Sequence, residues 1–200
     1  MQKRVRHMHL SVEQVRQLLA AIDLGRPIGV RDRALLALMA LHGLSVGEVQ
    51  RLDVSSVDLG NGTLQVLGRC GKPRTVFLTI ATNQVMGAWL AVRQLVDAGC
   101  PAVFISLQWT MGRAQPGRRV STRGLRQVVD GYLQMIGVHA TGGSCYILRR
   151  TYAMLGLEAG ASVSDIAASL GGSAALKRVV SALADRVLDS QALQETQGST

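Results

Sequence analysis

Residues 31–78, RDRALLALMALHGLSVGEVQRLDVSSVDLGNGTLQVLGRCGKPRTVFL, decide the fold, because the hydrophobic period changes within them. Ala34, Leu35, Leu38 and Leu41 share one face at helical spacing, so 31–41 reads as a helix that Gly43 stops. A short helix is expected over 46–52, with Glu48 near its start. After the Asn61-Gly62 turn the period shortens. Residues 63–67 and 75–78 are rich in β-branched side chains and are separated by Gly68, Gly71 and Pro73. They read as a β-hairpin with a basic tip, where Arg69, Lys72 and Arg74 lie.

Outward from this stretch the pattern is mostly helical. Ser11 and Gln14 read as a capping box opening a helix to about Ile22. Val85, Trp89, Val92 and Val96 place a helix over 81–98. A third short strand is expected over 103–106 and a loop over 109–117. Ser121 caps a helix to about Ile136, and Gly142-Gly143 marks a loop. Further helices are expected over 148–158 with Gly160 as its stop, from Ser162 to about Leu170, and over 173–188. The expectation is one α+β domain, mainly α, with a small antiparallel sheet over residues 1–188 and a polar tail over 189–200.

The chain has 200 residues, 48% hydrophobic and 18% charged, which suits a packed core and excludes a disordered chain. Its longest apolar run, 34–41, is far short of the ~20 residues that span a bilayer. Glu13, Gln14, Arg16 and Gln17 interrupt any signal-peptide core. Cys70, Cys100 and Cys145 are widely spaced and form no CxxC pair, so reduced thiols in a cytoplasmic protein are expected, with neither metal nor cofactor. The formal net charge is +9, nearly all from arginine. No acid occurs between Gly99 and Val129, where Arg113, Arg118, Arg119, Arg123 and Arg126 lie. Further groups are Arg69, Lys72 and Arg74, then Arg149 and Arg150, and at the N-terminus Lys3, Arg4 and Arg6. Segregated charge suggests a basic face for a polyanion, and the guanidinium fork matches phosphate. The alternative is a solvated basic loop around 112–117 with no partner.

Two separated stretches resemble the tyrosine recombinases, the phage-integrase family, over about residues 10 to 188. Residues 31–78 are similar to the first half of that family's catalytic domain: a helix ending G-L-R-x-x-E-L, a D-I-D-L-like stretch and a hairpin with a G-K-G-x-K-x-R tip. Residues 144–183, SCYILRRTYAMLGLEAGASVSDIAASLGGSAALKRVVSAL, resemble H-x-L-R-H-T-F-A-T followed by L-G-H and a tyrosine nine residues on. The resemblance implies a DNA phosphodiester substrate. In the family a tyrosine attacks it, two arginines stabilise the nonbridging oxygens, a hairpin lysine acts as general acid and histidines assist proton transfer.

Position by position, the resemblance puts the first arginine at Ser45, the lysine at Arg69, the first histidine at Tyr146 and the second arginine at Arg149. The neighbouring histidine falls at Arg150, the L-G-H histidine at Gly172 and the nucleophile at Ser181. No tyrosine follows Tyr152. Arginine at 69 keeps a phosphate contact, but its pKa above ~12 makes it a poor acid near neutral pH. Proton chemistry is lost while cations are kept. The resemblance therefore implies no catalytic residues, with Arg69, Lys72, Arg74, Arg149 and Arg150 facing phosphates, and the charge pattern adds Arg113, Arg118, Arg119, Arg123 and Arg126 to the expected DNA-binding set. An ion pair of Arg149 with Glu48 is the alternative role for that arginine, and the two roles do not exclude each other.

The expected partner is double-stranded DNA, and the expected role is that of a regulator or accessory factor in DNA recombination or transcription. A homo-oligomer or a partner recombinase contacted through the 173–188 helix is the expected protein partner. No membrane partner is expected, and the expected location is cytoplasmic and nucleoid-associated. With only about ten residues ahead of the first helix, the N-terminal clamping domain usual in the family is expected to be missing. Two alternatives remain: a divergent but active recombinase, and a protein-interaction module that assembles with a true recombinase.

Overall fold

The computed structural model describes residues 9–68, 71–96, 99–107, 116–139, 143–172 and 180–181. These form seven α-helices and a three-stranded antiparallel sheet, in the mainly helical α+β class that the sequence predicts. The helices are α1 (Val12–Ala20), α2 (Pro27–Leu41), α3 (Val46–Arg51), α4 (Ile80–Gln94), α5 (Thr122–Met135), α6 (Ser144–Glu158) and α7 (Val163–Ser169). The strands are β1 (Val57–Asp58), β2 (Thr63–Leu67) and β3 (Pro73–Phe77), in the order β1-β2-β3.

Serines open four of the helices. Ser11, Ser45, Ser121 and Ser162 each accept a hydrogen bond from the backbone N–H three residues on, satisfying a donor that the helix leaves unpaired. The second helix starts earlier than expected, because Pro27 supplies a fixed φ in its first turn. Its residues 34–40 are all buried, so it is the central rod, packed by α1, α3, α4 and α6.

The expected strand over 103–106 is not one, and the third strand is β1. Residues Ala102, Val103, Phe104 and Ile105 are at most 2% exposed and make only isolated bridges, Asp53 with Ala102 and Ile105 with Arg119. Side chains satisfy several of the segment's carbonyls instead of a strand ladder. Arg93 donates to the carbonyls of Cys100 (2.8 Å) and Ala102 (2.7 Å), and Trp89 donates to that of Val103 (3.0 Å). Trp89 also stacks on Phe104, with ring centroids 6.5 Å apart. Full burial produces the apolar run that reads as a strand.

Smaller differences lie at element ends. Strand β3 starts at Pro73 opposite Leu67, two residues early, where proline's missing donor is tolerated at a strand start. The fourth helix ends at Gln94, and the sixth already begins at Ser144. Of the expected 173–188 helix only Val180 and Ser181 are among the described residues. Both are helical, and Val180 is fully buried beside Ala153, Met154, Ile166 and Leu170.

The turn between α2 and α3 positions the site. Gly43 has φ +65, and a Cβ there would lie 2.5 Å from Leu170 Cδ2 and 2.7 Å from Tyr152 Cδ1. Only glycine lets this turn approach α6 and the end of α7 so closely.

Candidate functional site

Glu48 is the hub of the site. Its side chain is 4% exposed, and the capping box turns its carboxylate back to accept the Ser45 N–H at 2.7 Å. Arg149 Nη1 reaches Glu48 Oε2 at 2.9 Å, and Arg74 Nη1 reaches Oε1 at 2.5 Å. One carboxylate thus joins α3, β3 and α6. Arg149 also donates to the carbonyls of Gly43 (3.0 Å) and Leu170, and Arg74 donates to that of Ser169 (2.8 Å). These bonds tie the end of α7 to the hairpin. The Arg149–Glu48 pair, the alternative role for Arg149, is therefore formed.

Two guanidinium groups on one carboxylate leave the cluster net positive. Burial pushes the Glu48 carboxyl up, but the Ser45 hydrogen bonds, Arg149 and Arg74 together hold it below its ordinary value. Burial draws Arg149 down from the ordinary arginine value, against the pull of Glu48. Tyr146 lies within electrostatic reach of Arg149 and is 44% exposed. The Arg150 guanidinium sits over the Tyr146 ring, 4.9 Å from its centroid. The next-door thiol, Cys145, is pushed up to about 11 by burial, so it is no thiolate near neutral pH.

The remaining residues singled out from the sequence have different surroundings. Ser45, in place of an arginine, caps α3. Gly172 ends the α7 turn at φ +66, its N–H bonded to the carbonyl of Ala167 at 2.7 Å. Ser181 is exposed. Arg119 is tied inward, to Asp53 and to the carbonyls of Gln50 (2.7 Å) and Leu52 (3.2 Å). Lys72 in the hairpin turn, Arg118, and Arg123 and Arg126 on α5 are exposed. Arg69 and Arg113 lie outside the described residues.

Sequence reasoning missed two buried polar clusters. Arg31 and Asp32, 6% and 4% exposed, pair through Asp32 Oδ1, while Arg31 donates to the Ile105 carbonyl at 3.2 Å and the Tyr132 hydroxyl to Asp32 Oδ2 at 3.4 Å. His42 Nε2 lies 3.0 Å from Thr82 Oγ1, joining the end of α2 to α4. The hub itself carried a readable signal: Ser45 and Glu48 have the capping-box spacing.

Burial pushes the buried His42 imidazole below its ordinary 6.5, against a hydrogen bond with the Phe77 backbone. Below about pH 6.5 the unfolded chain then takes up a proton that the folded chain refuses, so stability falls with acid. Glu48 adds a second loss at lower pH, where its protonation removes a contribution present above the ordinary carboxylate value. Thermal unfolding across pH should show Tm level between about pH 7 and 8 and falling from about 6.5 downward. His42→Gln should flatten the first part of that fall, and an unchanged profile in this variant would contradict the assignment.

Among the described residues no helix is long and apolar enough to cross a membrane, and no group of His, Cys, Asp and Glu is placed to hold a metal ion.

The phage integrase family model matches residues 9–174. The chain is similar to the tyrosine recombinase XerC of Haemophilus influenzae, 33% identical over 173 residues, covering 84% of this chain and 55% of that protein. It is similar also to XerC of Vibrio cholerae serotype O1, 31% identical over 166 residues, covering 82% and 50%. The chain thus spans about half the length of these curated relatives. In fold it resembles the XerA recombinase (TM-score 0.75, 24% identity, 94% of this chain and 64% of that one). It likewise resembles the XerH site-specific recombinase bound to palindromic difH substrate in a post-cleavage complex (TM-score 0.75, 19% identity, 94% and 53%).

Proposed function

Because the chain belongs to the phage integrase family, we propose that it binds duplex DNA through phosphate contacts, does not cut it, and serves as a regulator or accessory factor in recombination or transcription. One observation carries this reading. The cations at the family's site are kept, as Arg149 and Arg74 on Glu48, while Ser45, Tyr146, Gly172 and Ser181 stand where the first arginine, the histidines and the nucleophile belong. What remains gives the site a net positive charge that attracts an anion, without the nucleophile and the proton donors that cleavage needs. Loss of groups that act together removes turnover more completely than loss of any one.

The exposed arginines separate a binding face from structural ones. Duplex affinity, followed by fluorescence anisotropy, should fall steeply with salt. Arg123→Ala and Arg126→Ala should each lower the slope of log affinity against log salt by about 1 while leaving Tm unchanged. Arg119→Ala should lower Tm, because it removes the anchor of Asp53 and of two carbonyls. Affinity independent of salt, or no binding even at low salt, would overturn the proposal.

A second reading, a divergent active recombinase, is favoured by the exposed phenol of Tyr146 beneath the Arg150 guanidinium. A protein–DNA adduct lost in Tyr146→Phe would establish it.

A further inference from the structure

We infer that Arg150, and not the family-matched Arg149, is the arginine on α6 that takes the DNA phosphate, held ready by its stack on Tyr146. The inference rests on the proposed DNA-binding function and deepens it.

The two neighbouring arginines are bonded differently, Arg149 through three of its five N–H groups. Arg149 commits its Nη1 to Glu48 and the Gly43 carbonyl, and its Nη2 to the Leu170 carbonyl. It is a positioning residue that closes α6 onto α3 and α7. Arg150 has no ion pair and no hydrogen-bond acceptor among the described residues, and its single partner there is the Tyr146 ring. Its Nε is buried without an acceptor. A buried donor left unpaired costs stability, which offsets what the stack on Tyr146 contributes to the fold. A stacked guanidinium has already lost much of its rotamer freedom, and its terminal amino groups form a planar fork for two oxygens of one phosphate. Tyr146, one turn before Arg150 on α6 and 44% exposed, holds this fork at the protein surface.

The test compares the whole chain with Arg150→Met, Arg150→Lys and Arg149→Met, reading duplex affinity against salt together with Tm. Arg150→Met should weaken binding roughly tenfold, the size of one charge-assisted hydrogen bond, and lower the salt slope by about 1. Its Tm should stay level or rise, since the unpaired Nε is gone. Arg150→Lys should keep the slope and lose part of the affinity. Arg149→Met should lower Tm. If the unaltered chain binds duplex while Arg150→Met matches it in affinity and slope, the inference falls and the DNA-binding reading stands. If the unaltered chain does not bind duplex, that reading falls, and inorganic pyrophosphate decides the site. Thermal protection of the unaltered chain that Arg150→Met loses would support an anion site at Arg150, and equal protection or none would overturn it.

Discussion

Glu48→Ala is expected to destabilise the protein by about 3–5 kcal/mol, because it leaves two buried guanidinium groups without their shared carboxylate. For a chain of this length that corresponds to a Tm lower by roughly 10 °C. The magnitude follows from burial: the Arg74 and Arg149 side chains are 13% and 15% exposed, so water recovers little of the lost attraction. The same change removes half of the α3 capping box. Glu48→Gln keeps the shape and an oxygen for the Ser45 N–H, so it should cost less. Arg149→Met in the Glu48→Ala background should recover part of the loss, since one stranded charge is gone. Circular dichroism melts of the three variants measure this. A Glu48→Ala protein as stable as the parent would show that the cluster is not the tie between α3, β3 and α6.

Asp32→Ala should have a comparable effect, about 3–5 kcal/mol by the same stranded-charge argument. Burial pushes the Asp32 carboxyl up and Arg31 pulls it down, so the carboxylate depends on its partner. Removing it leaves Arg31, 6% exposed, with only the Ile105 carbonyl, and the Tyr132 hydroxyl without its acceptor. Replacing both, Arg31→Met with Asp32→Leu, should cost far less, because apolar pairs often substitute for buried ion pairs without loss. A double variant as unstable as Asp32→Ala in urea unfolding would contradict this account.

Local signals explain what could be read ahead of the structure. The helix caps at Ser11, Ser121 and Ser162 and the β2–β3 hairpin depend on residues a few positions apart, and their physics is complete within such windows. The 102–105 segment failed because its state is decided by Arg93, Trp89 and Arg31, which take its carbonyls from other elements. The fates of the arginines were hidden for the same reason. Arg74 and Arg119 find their carboxylates 26 and 66 residues away, so charge density in the sequence could not tell a structural cation from a surface one. Arg31 beside Asp32 reads as an ordinary solvated pair until the chain folds over it. The Arg149–Glu48 contact was foreseeable only through the family resemblance, which aligned two positions 101 residues apart.

Incubation with a nicked duplex that traps covalent intermediates, read on paired native and denaturing gels, tests most directly whether the protein holds DNA without cutting it. The account predicts a retarded band on the native gel that weakens with salt, and no adduct on the denaturing gel. A denaturant-resistant protein–DNA band, lost in Tyr146→Phe or Ser181→Ala, would contradict it.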